Sequence, residues 1–257
     1  LGDIRGPKRI YEDDPFGNIW GTGFQPGWVD FDNDGDLDLY VVNDYGMHVQ
    51  PNVLWRNDGI DSKTNQWIFT DISNDSGVDA AILGMGLAVG DYDLDGYFDF
   101  FITNIGNQML FRNTGENLVF EETTLYAGLE MSKINYPSGV MDRVAWATMF
   151  FDYDNDGLED LYIVSGFLNL HETERAFDVP AEMRLQPNVL MRNKGDATFE
   201  DKSNKSGADD NGIGRGGFYL DFNLDGCLDI FITNLDGKAK LFQNTCNDNN
   251  WLVINPV

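Results

Sequence analysis

Short apolar runs recur along the chain with turn-forming residues between them. Four of these runs, LDLYVVN (37–43), FDFFITN (98–104), EDLYIVS (159–165) and LDIFITN (228–234), are rich in β-branched and aromatic residues and read as strands. Small-residue and apolar runs such as GMGLAVG (84–90) and GRGGFYL (214–220) precede them and supply another strand. A third strand follows and ends in an Asn-x-Gly-like turn: VLWRNDG (53–59), MLFRNTG (109–115), VLMRNKG (189–195) and LFQNTC (241–246). The fourth is WIFTDIS (67–73), LVFEETT (118–124), TFEDKS (198–203) or WLVIN (251–255). An extended 3.6-residue apolar period is missing throughout, apart from a helical turn expected near Glu172 to Met183, so a helix-rich or α/β fold is excluded.

Four antiparallel strands in about 60 residues make one blade of a β-propeller. The expectation is an all-β protein of four such blades, at 20–75, 82–125, 143–203 and 212–257.

Between the first and second strand of each blade lies one motif: DFDNDGDLD (30–38), DYDLDGYFD (91–99), DYDNDGLED (152–160) and DFNLDGCLD (221–229). Their first residues lie 61, 61 and 69 positions apart. In D-x-D-x-D-G-x-x-D the carboxylates at positions 1, 3 and 5 converge, Gly at 6 permits a sharp turn, position 7 offers a carbonyl and the Asp at 9 closes the cage. Hard oxygen donors in this pattern suit Ca²⁺, and the flexible cage of many protein oxygens suits it better than Mg²⁺. An EF-hand shares the first half of the pattern but needs Glu at position 12 and flanking helices.

The expected side-chain ligands are Asp30, Asp32, Asp34 and Asp38; Asp91, Asp93, Asp95 and Asp99; Asp152, Asp154, Asp156 and Asp160; and Asp221, Asn223, Asp225 and Asp229. The position-7 carbonyls come from Asp36, Tyr97, Leu158 and Cys227. Crowded carboxylates repel without a cation, so binding should be coupled to blade stability. The fourth site, with Asn223 in place of an Asp, is expected to be the weakest on charge.

Composition agrees with bound cations. Asp and Glu number 43 against 17 Lys and Arg, for a net charge of −26, while 42% hydrophobic and 13% aromatic residues argue against a disordered acidic chain. That charge repels nucleic acid and anionic membranes, and the lack of a long apolar run argues against membrane insertion. The start at Leu1, with neither an initiator Met nor a signal, leads us to expect a processed or truncated chain.

The repeated motif resembles the FG-GAP or VCBS repeat, the calcium-binding blade of integrin α-subunit propellers and of many secreted bacterial proteins. The terminal LFQNTCNDNNWLVINPV is similar to the junction at which cartilage-acidic-protein-like chains enter an ASPIC/UnbV domain, which would begin near residue 250. The resemblance implies a ring of about seven blades, a secreted, periplasmic or cell-surface location, and a structural, adhesive or partner-binding role.

Strand alternation puts the metal loops on one face and the loops after each second strand on the other, where a protein or glycan partner would bind. His48 and His171 both fall in these second-face loops. With Glu172 and Tyr45 they either contribute to a metal or acid/base site or are exposed residues on non-adjacent blades. The inter-blade segment 128–143 brings Met, Tyr and Arg to this face, as a partner rim or as packing. A catalytic motif is not evident, so an enzyme would use the propeller as a scaffold or carry its site in another domain; a subunit of a larger extracellular assembly is a further alternative.

Cys227 and Cys246 both lie in blade 4, and a two-residue turn at Asp236 and Gly237 would place them opposite each other on adjacent strands, compatible with a disulfide and an oxidising compartment. Asn74 and Asn204 head equivalent glycosylation sequons that the repeat alone explains.

Overall fold

A computed structural model of the chain describes residues 21–168, 179–245, 249 and 251. The chain is an all-β propeller segment. Blade 1 consists of β1 (Thr22–Val29), β2 (Asp38–Asp44), β3 (Val53–Ile60) and β4 (Trp67–Asp71). Blade 2 consists of β5 (Leu87–Gly90), β6 (Asp99–Ile102), β7 (Met109–Asn113) and β8 (Phe120–Glu122). A hairpin, β9 (Lys133–Tyr136) and β10 (Gly139–Asp142), then leads to β11 (Ala145–Phe151), β12 (Asp160–Ser165), β13 (Val189–Asn193) and β14 (Phe199–Asp201) of blade 3. Blade 4 shows β15 (Gly214–Leu220), β16 (Asp229–Asn234) and β17 (Lys240–Phe242). Each sheet is antiparallel with neighbours in chain order, and among the described residues no sheet closes on itself.

The second strand of each blade is apolar on both faces because both are covered. Phe100 and Ile102 of β6 join Phe31, Tyr40 and Val42 in a core between blades 1 and 2, while Phe101 between them points the other way, into a core with Leu110, Phe150 and Leu161. β12 repeats the pattern: Leu161 and Ile163 face blade 2, and Tyr162 and Val164 face Ile230 and Ile232 of blade 4. Period-two alternation between two buried faces is why these runs show no polar face. Full burial of each large side chain contributes about 1.5–3 kcal/mol, so the interfaces between blades are the core.

Glycines let the innermost strands approach. A Cβ at Gly86 would lie 2.1 Å from the Trp146 carbonyl oxygen, which is backbone and cannot give way.

Some expectations change. The inter-blade segment 128–143 contains the β9–β10 hairpin. The segment Glu172 to Met183 lies largely outside the described residues; a single 3-10 turn spans Ala181–Arg184. Of the fourth strand expected from WLVIN, all but Trp251 lies outside them.

The β16–β17 register is a correction. Ile230 pairs with Phe242, whereas a two-residue turn at Asp236 and Gly237 requires Gln243 at that place. β16 runs on to Asn234, its side chain donates to the Lys238 carbonyl oxygen, and a longer loop reaches β17. A one-residue slip exchanges the faces of a strand, so that register argument does not place the cysteines opposite each other. Cys227 itself is buried and disulfide-bonded, and Cys246 lies outside the described residues.

Candidate metal centre

Each metal loop is built by the same hydrogen bonds. The position-1 carboxylate folds the loop over itself: Asp30 accepts from the Asp34 N–H (3.1 Å) and the Gly35 N–H (3.0 Å), and Asp91, Asp152 and Asp221 do the same in their loops. Gly at position 6 has φ between +87° and +97° in all four loops, as its choice predicts. Position 4 is also left-handed, at Asn33, Leu94, Asn155 and Leu224. Sequence reasoning missed this: Asn33 and Asn155 carry the signal for such a conformation, but Leu94 and Leu224 at the same place do not.

The position-9 aspartate sits at the bottom of the loop. Asp38, Asp99, Asp160 and Asp229 are at most 1% exposed. One oxygen of each accepts the position-2 N–H, from Phe31, Tyr92, Tyr153 or Phe222. The other accepts the N–H of an asparagine on or just after the third strand, Asn57, Asn113, Asn193 or Asn244. These bonds favour the charged form, yet burial wins, raising Asp38 to about 6, Asp160 to about 7 and Asp99 to about 8. A nearby cation is what would return them to the anionic form.

The asparagines do a second job that their turn-like sequence setting hides. Asn113 Nδ2 donates to the Phe31 carbonyl oxygen of the preceding metal loop (2.9 Å), Asn193 to that of Tyr92 (2.7 Å) and Asn244 to that of Tyr153 (2.6 Å). Asn33 and Asn155 reach forward to the Gly96 and Gly226 carbonyl oxygens, both at 3.2 Å. The four loops therefore form one hydrogen-bonded row.

Carboxylate oxygens of Asp30, Asp32 and Asp38 lie within 4.8 Å of one another, as do those of Asp91, Asp93 and Asp99 and of Asp152, Asp154 and Asp160. The fourth loop has Asn223 within its set and forms no such all-acidic triad. The position-5 carboxylates stand apart from the triads: one oxygen of Asp34, Asp95, Asp156 and Asp225 accepts the position-7 N–H, from Asp36, Tyr97, Leu158 and Cys227. Two oxygens in loop 1, Asp32 Oδ1 and Asp36 Oδ1, are buried without a hydrogen-bond partner. Orphaned buried carboxylate oxygens are costly unless a cation meets them, and hard oxygens at this spacing fit calcium.

The model of the FG-GAP-like repeat matches residues 30–102 and 152–232 and so takes in all four loops. The chain belongs to the FG-GAP-like repeat family. Its FG-GAP-like repeats are the propeller blades described above. The chain is 27% identical over 232 residues to cartilage acidic protein 1 of Xenopus tropicalis, covering 87% of this chain and 31% of that protein. It is 24% identical over 224 residues to the Homo sapiens protein of the same name, covering 85% and 30%. The chain thus spans about a third of the length of these curated relatives. A solved structure of an Agrocybe aegerita lectin, described as recognising non-reducing terminal N-acetylglucosamine, overlaps 87% of this chain and 67% of its own at 16% identity with a TM-score of 0.32, which carries no argument.

On the opposite face, Tyr45 and His48 are exposed in the loop after β2. His171 and Glu172 lie outside the described residues. Among the described residues no helix is long and apolar enough to cross a membrane.

Proposed function

We propose that the chain is a calcium-binding propeller module that works outside the cell, as a structural or adhesive platform. Positions 1, 3 and 9 of each motif hold the ion, and the position-5 carboxylate and position-7 carbonyl complete the shell. The observation that carries this is the convergence of three aspartates per loop in blades 1 to 3, joined in loop 1 by the buried, unpartnered Asp32 Oδ1. Calcium would supply there the positive charge that crowded, partly buried carboxylates lack.

An extracellular location is supported by the disulfide-bonded Cys227, since such bonds persist in oxidising compartments. A protein or glycan partner would meet the face opposite the metal loops, where Tyr45, Met47, Leu185 and Leu235 are exposed in the loops after the second strands. The test is thermal unfolding in calcium against EGTA. We expect a lower Tm in EGTA, restored by adding calcium back; equal melting in both would refute the reading.

A further inference from the structure

The charge of the four loops is compensated unequally, and the difference traces to one residue. In blade 2, Arg112 of β7 donates through Nε to Asp93 Oδ2 (2.5 Å) and through Nη2 to Asp95 Oδ2 (2.7 Å), forking across positions 3 and 5 of the motif. Arg192 of β13 repeats this in blade 3, to Asp154 Oδ2 (2.6 Å) and Asp156 Oδ2 (2.5 Å). Arg56 holds the same place in β3 but turns elsewhere, donating to Asp58 Oδ1 at 2.7 Å. The other arginine-bearing blades have Thr114 and Lys194 where blade 1 has Asp58.

Blade 4 solves the problem differently. Gln243 replaces the arginine, and the Asn223 amide donates to Asp225 Oδ2 (2.6 Å), the oxygen that corresponds to the one taken by the guanidinium Nη2 in blades 2 and 3. Loop 4 loses one carboxylate and one guanidinium together. At the odd positions of the motif, with the forking arginine included, loops 2, 3 and 4 each carry a net charge of −3, and loop 1, with five aspartates, carries −5. Loop 4 is therefore no poorer in net charge than loops 2 and 3. Loop 1 is the outlier: among the described residues no cation pairs with Asp32 or Asp34, and a cleft of about 210 Å³ opens between Asp32, Arg56 and Tyr97.

We propose that Arg112 and Arg192 are tethered counter-ions that hold loops 2 and 3 in shape without a divalent ion. Asp58, by diverting Arg56, makes loop 1 the site that binds calcium most tightly and on which the fold depends most. This rests on the calcium reading above. A guanidinium bonded to two ligand carboxylates opposes the approach of a dication and has already relieved the repulsion that the dication would relieve. An extra unit of positive charge about 6 Å away in a largely solvated loop corresponds to about tenfold in affinity.

Calorimetric titration of the whole chain with calcium chloride tests this, with far-UV circular dichroism to confirm that each variant is folded. Wild type should show one site about tenfold tighter than the rest, and Asp32→Ala should delete that site. Asp58→Thr, which gives blade 1 the residue of blade 2, should free Arg56 and weaken the tight site about tenfold; Asp58→Lys, after blade 3, should do the same. Arg112→Gln should add a second tight site and enlarge the Tm loss in EGTA. A tight site unchanged in both Asp58 variants, or weaker binding in Arg112→Gln, overturns the proposal while leaving calcium binding intact. Wild type that takes up no calcium at millimolar concentration overturns the calcium reading itself and this proposal with it.

Discussion

Replacing Asn193 by alanine tests whether the row of asparagines holds the blades together. The Asn193 side chain is fully buried and makes three bonds: Nδ2 to the Tyr92 carbonyl oxygen of blade 2 (2.7 Å), Nδ2 to the Glu159 carbonyl oxygen (3.1 Å) and Oδ1 from the Gly195 N–H (2.9 Å). Alanine strands these groups at about 1–3 kcal/mol each when water is excluded, and partial re-pairing brings the expected loss to about 3 kcal/mol. Asn57, the equivalent residue of blade 1, is the internal control. Its amide reaches Leu37 of its own blade (3.2 Å) and its oxygen receives the Gly59 N–H (3.1 Å), so among the described residues Asn57→Ala breaks no bond between blades. We expect a loss of about 1–2 kcal/mol there, on the same scale. The assay is thermal unfolding in saturating calcium, followed by tryptophan fluorescence and circular dichroism together. At about 2–4 °C per kcal/mol for a chain of this size, the two variants should melt several degrees apart. Equal losses, or an Asn193→Ala loss below about 1 kcal/mol, on the scale of one surface bond, would refute a joint between blades at this residue.

Three further outcomes follow from the same geometry. The folded carboxyls of Asp38, Asp160 and Asp99 titrate near 6, 7 and 8, above the ordinary value of 3.8, so the folded state holds protons that the unfolded chain releases. Stability in EGTA should therefore fall between about pH 4 and pH 8, while calcium affinity rises over the same window; Tm and calcium titrations at pH 5 and pH 8 check both signs. Leu224 has φ +60° and is 82% exposed, and Leu224→Asn should stabilise the fold by about 0.5–1 kcal/mol because asparagine tolerates the left-handed region; a lower Tm would refute this. Gly86→Ala drives a methyl into the Trp146 carbonyl oxygen and should cost about 3 kcal/mol or more, seen as poor folding or a steep fall in Tm, whereas wild-type stability would show that the strands can separate there.

How much of this was legible in the sequence depended on whether a residue acts within its own repeat. The strands, the aspartate loops and the Gly at position 6 are local, and they repeat, so one copy explains the others. Asn113, Asn193 and Asn244 look like ordinary turn residues because their partners lie 82 to 101 positions earlier in the chain. A signal for them did exist, since all four repeats carry an Asn at that place. Arg56, Arg112 and Arg192 are alike in sequence and differ in contact, because Asp58 competes for one of them. The β16–β17 register slipped because β16 ends at Asn234, short of the expected turn, and Asn234 closes a longer loop with its own amide.

The close approach of Gly86 to the Trp146 carbonyl oxygen brings backbone against backbone where blades 2 and 3 meet. Outer surfaces of such a molecule can drift freely, but bulk is forbidden at this contact, so the spacing of the two blades there is set by the peptide chain and no side chain can retune it.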